Sequence, residues 1–444
     1  FGLTGRALLD FLIQRGVSNH LFLYNDTIIR DQKAKSRYQK RGVEFIEGEK
    51  NFSRLKEMNA LIVSPGINAK SPRFKEMRAA GISLISEIEF ASYFIPSKII
   101  AVTGTNGKST TVSLIHHILY HSGFKSVLAG NIGKPLIAEV NKLTEESVIV
   151  LEISSFQLEE VFGFKPHIAV LLNISPDHLD RYSDMNDYVS AKLNICKNQK
   201  KDDFLILNHD DKLLKEQVPS EARKIWFSTR RILKGGFFIK DNYVYEKMHS
   251  NTREISISNN PLRGVHNLEN LLAAIIVSRI MGVRVKHIEA AIKTFKGLSH
   301  RIEFLGKIGK VEFINDSKAT NIDASLKSLS SFNSGVVLIL GGKDKGGDFK
   351  VLEEAIKKRA EKVFLIGKAA KTIHQQLLSL REKFVFISDL KEAVIRGYQT
   401  LKKSGGIVLL APGCASFDMF ENFEHRGDVF KKEFMALKKK IKNG

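Results

Sequence analysis

The chain has 444 residues, 43% of them hydrophobic and 26% charged, and 69 basic against 48 acidic residues give a formal net charge of +21. This composition excludes wholesale disorder and collagen-like repeats. No apolar run reaches the roughly 18 residues of a membrane span, so no membrane partner is expected. At about 100–200 residues per domain, the length suggests about three domains. A basic balance suits nucleic acid, a membrane surface or an anionic substrate. Here acids and bases alternate through most of the chain, and the only dense basic run is the tail from Lys431 to Lys442. A solvated lysine-rich surface is therefore the reading, and no nucleic-acid partner is expected. Cys196 and Cys414 form no CxxC pair and no disulfide framework, which fits a reduced, cytosolic compartment. No signal peptide opens the chain, and because it starts at Phe1 its native start is expected upstream.

Short apolar runs alternate with amphipathic stretches, the pattern of parallel α/β folds. Residues 1–96 read as a first α/β region. It has a helix over Gly5–Gly16, strands at Leu21–Tyr24, Ala60–Val63 and Ile82–Ile85, and a helix over Ser71–Ala80. Pro96 marks a linker. Residues 97–296 read as a larger α/β region with strands at Lys98–Thr103, Val148–Leu151, Ile168–Leu172 and Phe204–Leu207. Its helices are expected over Ser109–Ser122, Met185–Lys197 and Asn267–Met281. Residues 297–444 read as a third α/β region, with strands at Lys310–Ile314, Gly335–Leu340, Val363–Ile366, Phe384–Ile387 and Ile407–Leu410, and a closing helix from Val429.

The clearest chemical motif joins the first strand of the second region to its helix: Gly104-Thr105-Asn106-Gly107-Lys108-Ser109-Thr110. Backbone N–H groups of such a turn converge on one concavity, and the helix dipole adds positive charge there. Lys108 can reach the β- and γ-phosphates of a nucleotide, and the Ser109 or Thr110 hydroxyl can bind Mg²⁺. The match to a full Walker A motif is incomplete, because Val102 stands where its first glycine would fall. Glu152 ends the next buried strand, where open α/β sheets bind ligands, and a carboxylate there suits Mg²⁺. Asp177, His178 and Asp180 cluster past another strand end. Lys192, taken alone, is a surface lysine. Asn267 and Asn270 open a helix, where Asn267 can equally be a cap. Arg301, beside a linker at Gly297, can bridge a phosphate. In the third region the loops Asn315–Asn321, Gly341–Asp348 and Ala411–Asp418 each follow a strand. Together they suit a small anion such as an amino acid.

These residues together resemble the Mur ligase family over essentially the whole chain. T-G-T-N-G-K-S-T, E-I-S-S-F-Q, D-H-L-D-R-Y, H-N-L-E-N, H-R-I-E and N-D-S-K-A-T-N occur in the family's order and spacing. The last points to the D-glutamate-adding branch; the D-N-P-R motif of the diamino-acid branch is missing. The resemblance implies three α/β domains: a Rossmann-like UDP-binding domain, a central P-loop-type ATP-binding domain with a parallel sheet, and a C-terminal Rossmann-like domain. It implies a cytoplasmic, monomeric enzyme of peptidoglycan synthesis that consumes ATP, UDP-N-acetylmuramoyl-L-alanine and D-glutamate by way of an acyl phosphate.

Position by position, the resemblance implies that Gly104 to Thr110 cradle the phosphates and that Lys108 binds them. Ser109 and Glu152 match one Mg²⁺ site and His178 a second. Lys192 falls where the family carries a carbamylated lysine, which would act as a further ligand. Asn267, Asn270, Arg301 and Asp316 match nucleotide contacts, and Asn131 a substrate contact. Thr320, Lys345 and Ser416, with the backbone near Phe423, match the D-glutamate pocket. Leu3 and Thr4 match the UDP diphosphate loop, Ser64-Pro65-Gly66 its second contact, and Asp26-Thr27 the uracil contact. The chain starts inside that diphosphate loop, so the family's first strand and first glycine are not in it.

Three alternatives have distinct signatures. Another amide ligase, such as a different Mur ligase or a folylpolyglutamate synthase, would take a different amino acid. A basic P-loop ATPase acting on nucleic acid would concentrate basic and aromatic residues near the ATP site. A UDP-sugar-binding module with dead catalysis would not keep Lys108, Glu152, His178 and Lys192.

Overall fold

The computed structural model describes residues 1–17, 20–178, 181–216, 218–248, 251–262, 264–344 and 346–443, without the side chains of 251 and 443. It divides into two compact units, each built from non-contiguous chain. The first comprises residues 1–174, 181–258 and 270–292, and the second residues 175–180, 259–269 and 293–444.

The first unit opens with a helix over Leu3–Gln14. Parallel strands β1 (Leu21–Asn25) and β2 (Val43–Glu47) form one small sheet, and parallel strands β3 (Ala60–Val63) and β4 (Ser83–Ser86) form another. The sequence pattern missed β2 because only Val43 and Ile46 of it are buried. The dominant element is a nine-stranded sheet of β5 (Lys98–Thr103), β6 (Lys125–Gly130), β7 (Ser147–Glu152), β8 (Ile168–Leu171), β9 (Phe204–Asn208), β10 (Arg223–Ser228), β11 (Gly236–Lys240), β12 (Tyr243–Met248) and β13 (Asn251–Ser256). Their spatial order is β13-β12-β11-β10-β9-β8-β5-β7-β6. From β6 to β11 neighbours pair parallel, and the last three strands form an antiparallel meander. Strands β7 and β8 are buried along their whole length, as parallel strands covered on both faces must be. This order puts the carboxyl ends of β5, β7 and β8 side by side, where ligands bind in open α/β sheets.

The second unit contains a six-stranded sheet of β14 (Glu303–Ile308), β15 (Val311–Asn315), β16 (Val336–Gly341), β17 (Ala360–Ile366), β18 (Phe384–Phe386) and β19 (Gly406–Gly413), in the order β14-β15-β19-β16-β17-β18. Only β14 runs antiparallel to its neighbour. The closing helix runs over Phe423–Asn443, starting six residues before the sequence expectation, and packs Phe430 and Phe434 against Phe313. Cys196 and Cys414 are both buried and neither forms a disulfide, and burial pushes the Cys196 thiol up to about 11. Among the described residues no helix is long and apolar enough to cross a membrane.

Candidate active site

In the first unit the phosphate turn lies between β5 and the helix Lys108–His121. Gly107 is left-handed, with φ +90°, and a Cβ there would sit 2.2 Å from Asn270 Oδ1. Only glycine lets the turn pack against that side chain. The turn is clamped from the end of β8. Thr105 N donates to the Asn173 carbonyl at 2.9 Å, Asn106 N to Asn173 Oδ1 at 2.9 Å, and Asn173 Nδ2 to the Asn106 carbonyl at 3.1 Å. Thr111 Oγ1 lies 3.3 Å from Asn270 Oδ1. Lys108 Nζ donates to the carbonyls of Gly104 and Thr105 at 2.8 and 2.9 Å. Ser109 and Thr110 are buried in the helix's first turn.

Lys192 is not the surface lysine that its sequence alone suggests. It is 1% exposed, donates to the Gly104 carbonyl at 2.9 Å, and lies 4.7 Å over the Tyr188 ring. Lys108 and Lys192 thus converge on one carbonyl of the phosphate turn. The helix carrying Lys192, Met185–Leu193, tightens to a 3₁₀ turn at Asn194, short of the expected Lys197.

Glu152 ends β7 and is 2% exposed. Its Oε1 accepts from Asn131 Nδ2 at 2.7 Å, and its buried Oε2 has no hydrogen-bond partner. An orphaned buried carboxylate oxygen is costly unless a cation or donor meets it. A Cβ on Gly130, whose φ is +104°, would sit 2.2 Å from the Glu152 carbonyl oxygen, so glycine there lets β6 bring Asn131 to this carboxylate. Among the described residues no group of three His, Cys, Asp or Glu side chains forms a metal cage. An orphaned carboxylate oxygen such as Glu152 Oε2 is the kind of hard donor that a divalent cation takes.

The residues of the first region that the resemblance matches to a UDP substrate also lie in this unit. Leu3 is exposed at the first helical position and Thr4 follows it, after an N-cap at Gly2. Asp26 accepts both guanidinium nitrogens of Arg73, at 2.7 and 2.9 Å, and the Tyr24 hydroxyl at 2.6 Å. The Arg73 bonds hold its carboxyl below the usual range. Thr27 accepts from Asn25 Nδ2. Ser64-Pro65-Gly66 form a turn after β3, closed by Ile67 N donating to the Ser64 carbonyl at 2.9 Å.

His178 belongs to the second unit. Its φ is 56°, an uncommon conformation for a non-glycine residue, and its N–H donates to Asp177 Oδ1 at 3.0 Å. Asp177 Oδ2 accepts from Asn321 Nδ2 at 2.9 Å, and the Ser175 hydroxyl donates to Asp323 at 2.9 Å. Asp180 lies outside the described residues. The helix Val265–Ile280 starts two residues before the expected Asn267, so Asn267 sits inside its first turn rather than at the cap. Asp316 is buried and accepts from Ile302 N at 3.3 Å; burial raises its carboxyl to about 6, against the pull of Ser328 and the Arg301 charge.

The sheet order makes β15, β19 and β16 neighbours, so the three loops after them share one edge. Gly413 N donates to the Ala319 carbonyl at 2.8 Å, and Lys343 and Ala415 exchange backbone bonds at 2.8 and 3.1 Å. Ser416 is buried there, and its carbonyl accepts from Met419 N and Phe420 N. Thr320 N donates to the Lys318 carbonyl, and the Phe423 carbonyl accepts from Ser317 Oγ at 2.8 Å. Lys345 lies outside the described residues. One side chain ties this edge together. Arg426, 3% exposed, donates to Ser317 Oγ at 3.0 Å, to the Ser317 carbonyl at 2.8 Å and to the Cys414 carbonyl at 3.1 Å. Burial pulls its guanidinium down to about 10.

Sequence reasoning missed Asn173, Tyr188 and Arg426. Tyr188 carried a usable signal, since it stands one helical turn before Lys192 and so on the same face. Asn173 and Arg426 act through partners distant in sequence, and nothing local marks them.

Three family models match successive parts of the chain. The Mur ligase MurD-like N-terminal domain matches residues 1–86, the Mur ligase middle domain residues 102–278, and the Mur ligase glutamate ligase domain residues 300–414. Proteins named UDP-N-acetylmuramoylalanine–D-glutamate ligase are similar along nearly the whole chain. That of Koribacter versatilis is 38% identical, covering 96% of each chain. That of Caldanaerobacter subterraneus is 39% identical, over 99% of this chain and 97% of its own. Among solved structures, the MurC ligase of Thermotoga maritima superposes with a TM-score of 0.59 at 18% identity, over 98% of this chain and 97% of its own. The MurF ligase of Thermotoga maritima, solved with ADP, reaches 0.62 at 16% identity, over 95% and 99%. The chain belongs to the Mur ligase family and has its three-domain α/β architecture.

Proposed function

We propose that this chain joins D-glutamate to UDP-N-acetylmuramoyl-L-alanine at the expense of ATP, releasing ADP and phosphate, as a cytoplasmic step of peptidoglycan precursor synthesis. The observation that carries the reading is the 38–39% identity, over 96–99% of the chain, to ligases of that name. The orphaned Glu152 oxygen beside a complete phosphate turn and the three-loop edge around Ser317, Ser416 and Thr320 support it.

The chemistry must bring a carboxylate to a phosphate, two groups that repel. The turn from Gly104 to Thr110 holds the ATP phosphates on its N–H groups, and Lys108 swings from its carbonyl partners onto them. Glu152 and Ser109 would hold one Mg²⁺, His178 would be a ligand of a second, and a carbamylated Lys192 would be a further ligand; such ions would offset the charge of the reacting anions. Carbamylation would turn the Lys192 ammonium, which repels a cation, into an oxygen ligand. Asn131 orients Glu152 and the alanyl end of the substrate. Asn267, Asn270, Arg301 and Asp316 contact the nucleotide. The alanyl carboxylate then attacks the γ-phosphorus, ADP leaves, and an acyl phosphate forms. The D-glutamate amine, positioned by Thr320, Lys345, Ser416 and the backbone near Phe423, attacks the acyl carbon and phosphate departs. Leu3, Thr4, Asp26, Thr27 and Ser64 to Gly66 hold the UDP part. Placement and fixed charge are the protein's main contribution.

The test is phosphate release from ATP and Mg²⁺ with UDP-N-acetylmuramoyl-L-alanine, supplying or omitting D-glutamate, with L-glutamate as control. Release that needs both the UDP substrate and D-glutamate is the expected result. Release with another amino acid instead would move the chain to another amide ligase.

A further inference from the structure

Arg181 is the residue at which the chain re-enters the first unit. Its side chain is 11% exposed, and that of its partner Glu159 is 1% exposed. Nε donates to Glu159 Oε1 at 3.0 Å and Nη2 to Oε2 at 2.6 Å, a bidentate fork. The guanidinium lies 4.1 Å from the Phe156 ring centre, and Phe156 stacks on Tyr182. Two further donations leave this pair. Nη1 reaches the Pro65 carbonyl at 3.3 Å and Nη2 the Ile67 carbonyl at 2.9 Å.

One side chain therefore fixes both ends of the Pro65–Ile67 backbone to Glu159, seven residues beyond the end of β7 at Glu152. Besides the Ile67–Ser64 backbone bond that closes the turn, these are the side-chain donations to its carbonyls. A lysine could not replace this arrangement, because an ammonium lacks the planar fork. Two other ion pairs join the same parts of the chain, Lys70 with Asp187 and Arg78 with Glu160. Neither donates to residues 64–67; the nearest such contact is Arg78 on the Ala69 carbonyl.

We propose that Arg181 is a positioning residue for the UDP-linked substrate: anchored on Glu159 and Phe156, it holds the Ser64-Pro65-Gly66 turn in its ligand-binding conformation. This rests on the reading that the turn meets the UDP part of the substrate.

The experiment compares Arg181→Lys, Glu159→Gln, their double variant and Lys70→Gln with the parent protein. It measures KM for each of the three substrates, kcat, and calorimetric binding of UDP-N-acetylmuramoyl-L-alanine. Arg181→Lys is expected to raise KM and Kd for the UDP substrate about tenfold to a hundredfold, with KM for ATP changed less than about twofold. Glu159→Gln in that background adds little, because both changes break one unit. Lys70→Gln, which loses an ion pair but no donor to the turn, leaves the UDP-substrate KM in place. An unchanged KM and Kd in Arg181→Lys, or equal rises in all three KM values, overturns the proposal. Gly66→Val separates the two levels. If it leaves Kd for the UDP substrate unchanged, the reading of the turn as a substrate contact fails; if it weakens binding while Arg181→Lys does not, only the positioning role fails.

Discussion

The phosphate turn of the first unit is one contiguous stretch, Gly104 to Thr110, whereas the loop edge of the second unit is assembled from three stretches spread between Asn315 and Asp418. Both are proposed to receive an anion, but they are stabilised differently. The turn is fixed by short-range constraints, a left-handed Gly107 and a helix that starts at Lys108, and is clamped from outside by Asn173 among others. The edge has no such local code. Its loops are joined by strand adjacency and by Arg426, whose charge is spent on carbonyls and a hydroxyl. A contiguous site fails one residue at a time, while an assembled one fails together when its tie is cut.

That contrast sets four expectations. The largest effect falls on the turn: Lys108→Ala should cut kcat by about 10²–10³ by removing a preorganised charge. Phosphate-release assays check it, with binding of the UDP substrate unchanged. Lys192→Ala should cost about 10²-fold, in the range of a disturbed metal shell. Short carboxylates added to that variant should restore part of the rate; full activity without them would contradict the carbamate role. At the edge, Arg426→Lys should destabilise the second unit by about 2 kcal/mol, since hydrogen bonds to charged groups are worth about 1.5–3 kcal/mol each. Denaturant unfolding and a raised KM for D-glutamate, with KM for ATP retained, would show that the edge answers to its tie.

The smallest effect concerns pH. Glu87 is buried in the first unit, and burial raises its carboxyl from 4.5 to about 7, against the donations of Leu136 N and Ile137 N. A carboxyl raised on folding stabilises the fold fully below its unfolded value, and that contribution is lost as pH rises through the folded value. Stability of the first unit should therefore decline between about pH 4.5 and 7 from this group, and Glu87→Gln should flatten that part of the profile in thermal melts at stepped pH. Asp316, raised from 3.8 to about 6, gives the second unit a decline of the same sign at lower pH.

What could be read in the sequence follows the same division. The phosphate turn was legible because strand, glycines, lysine, hydroxyl and helix stand in one run. The buried parallel strands were legible because strands covered on both faces become continuous apolar runs, as β7 and β8 did. The antiparallel strands β11 to β13 were not, since Tyr243–Met248 mixes tyrosine, glutamate and lysine at a sheet margin. Lys192 looked like a surface residue because the carbonyl it donates to, that of Gly104, is 88 positions away. Arg181 and Arg426 act over 116 and 109 positions. An arginine's sequence neighbours do not reveal which carbonyls it will meet.

The interleaving of the two units has a practical consequence for anyone who cuts this chain. It passes from one unit to the other after residues 174, 180, 258, 269 and 292. No single nick parts the two units cleanly: a piece ending at residue 292 contains the first unit whole but carries His178 away from Asn321, which holds its neighbour Asp177. The protein should therefore behave in limited proteolysis as a laced object: nicked copies stay assembled until denaturant is added, and separately expressed halves regain activity only when mixed.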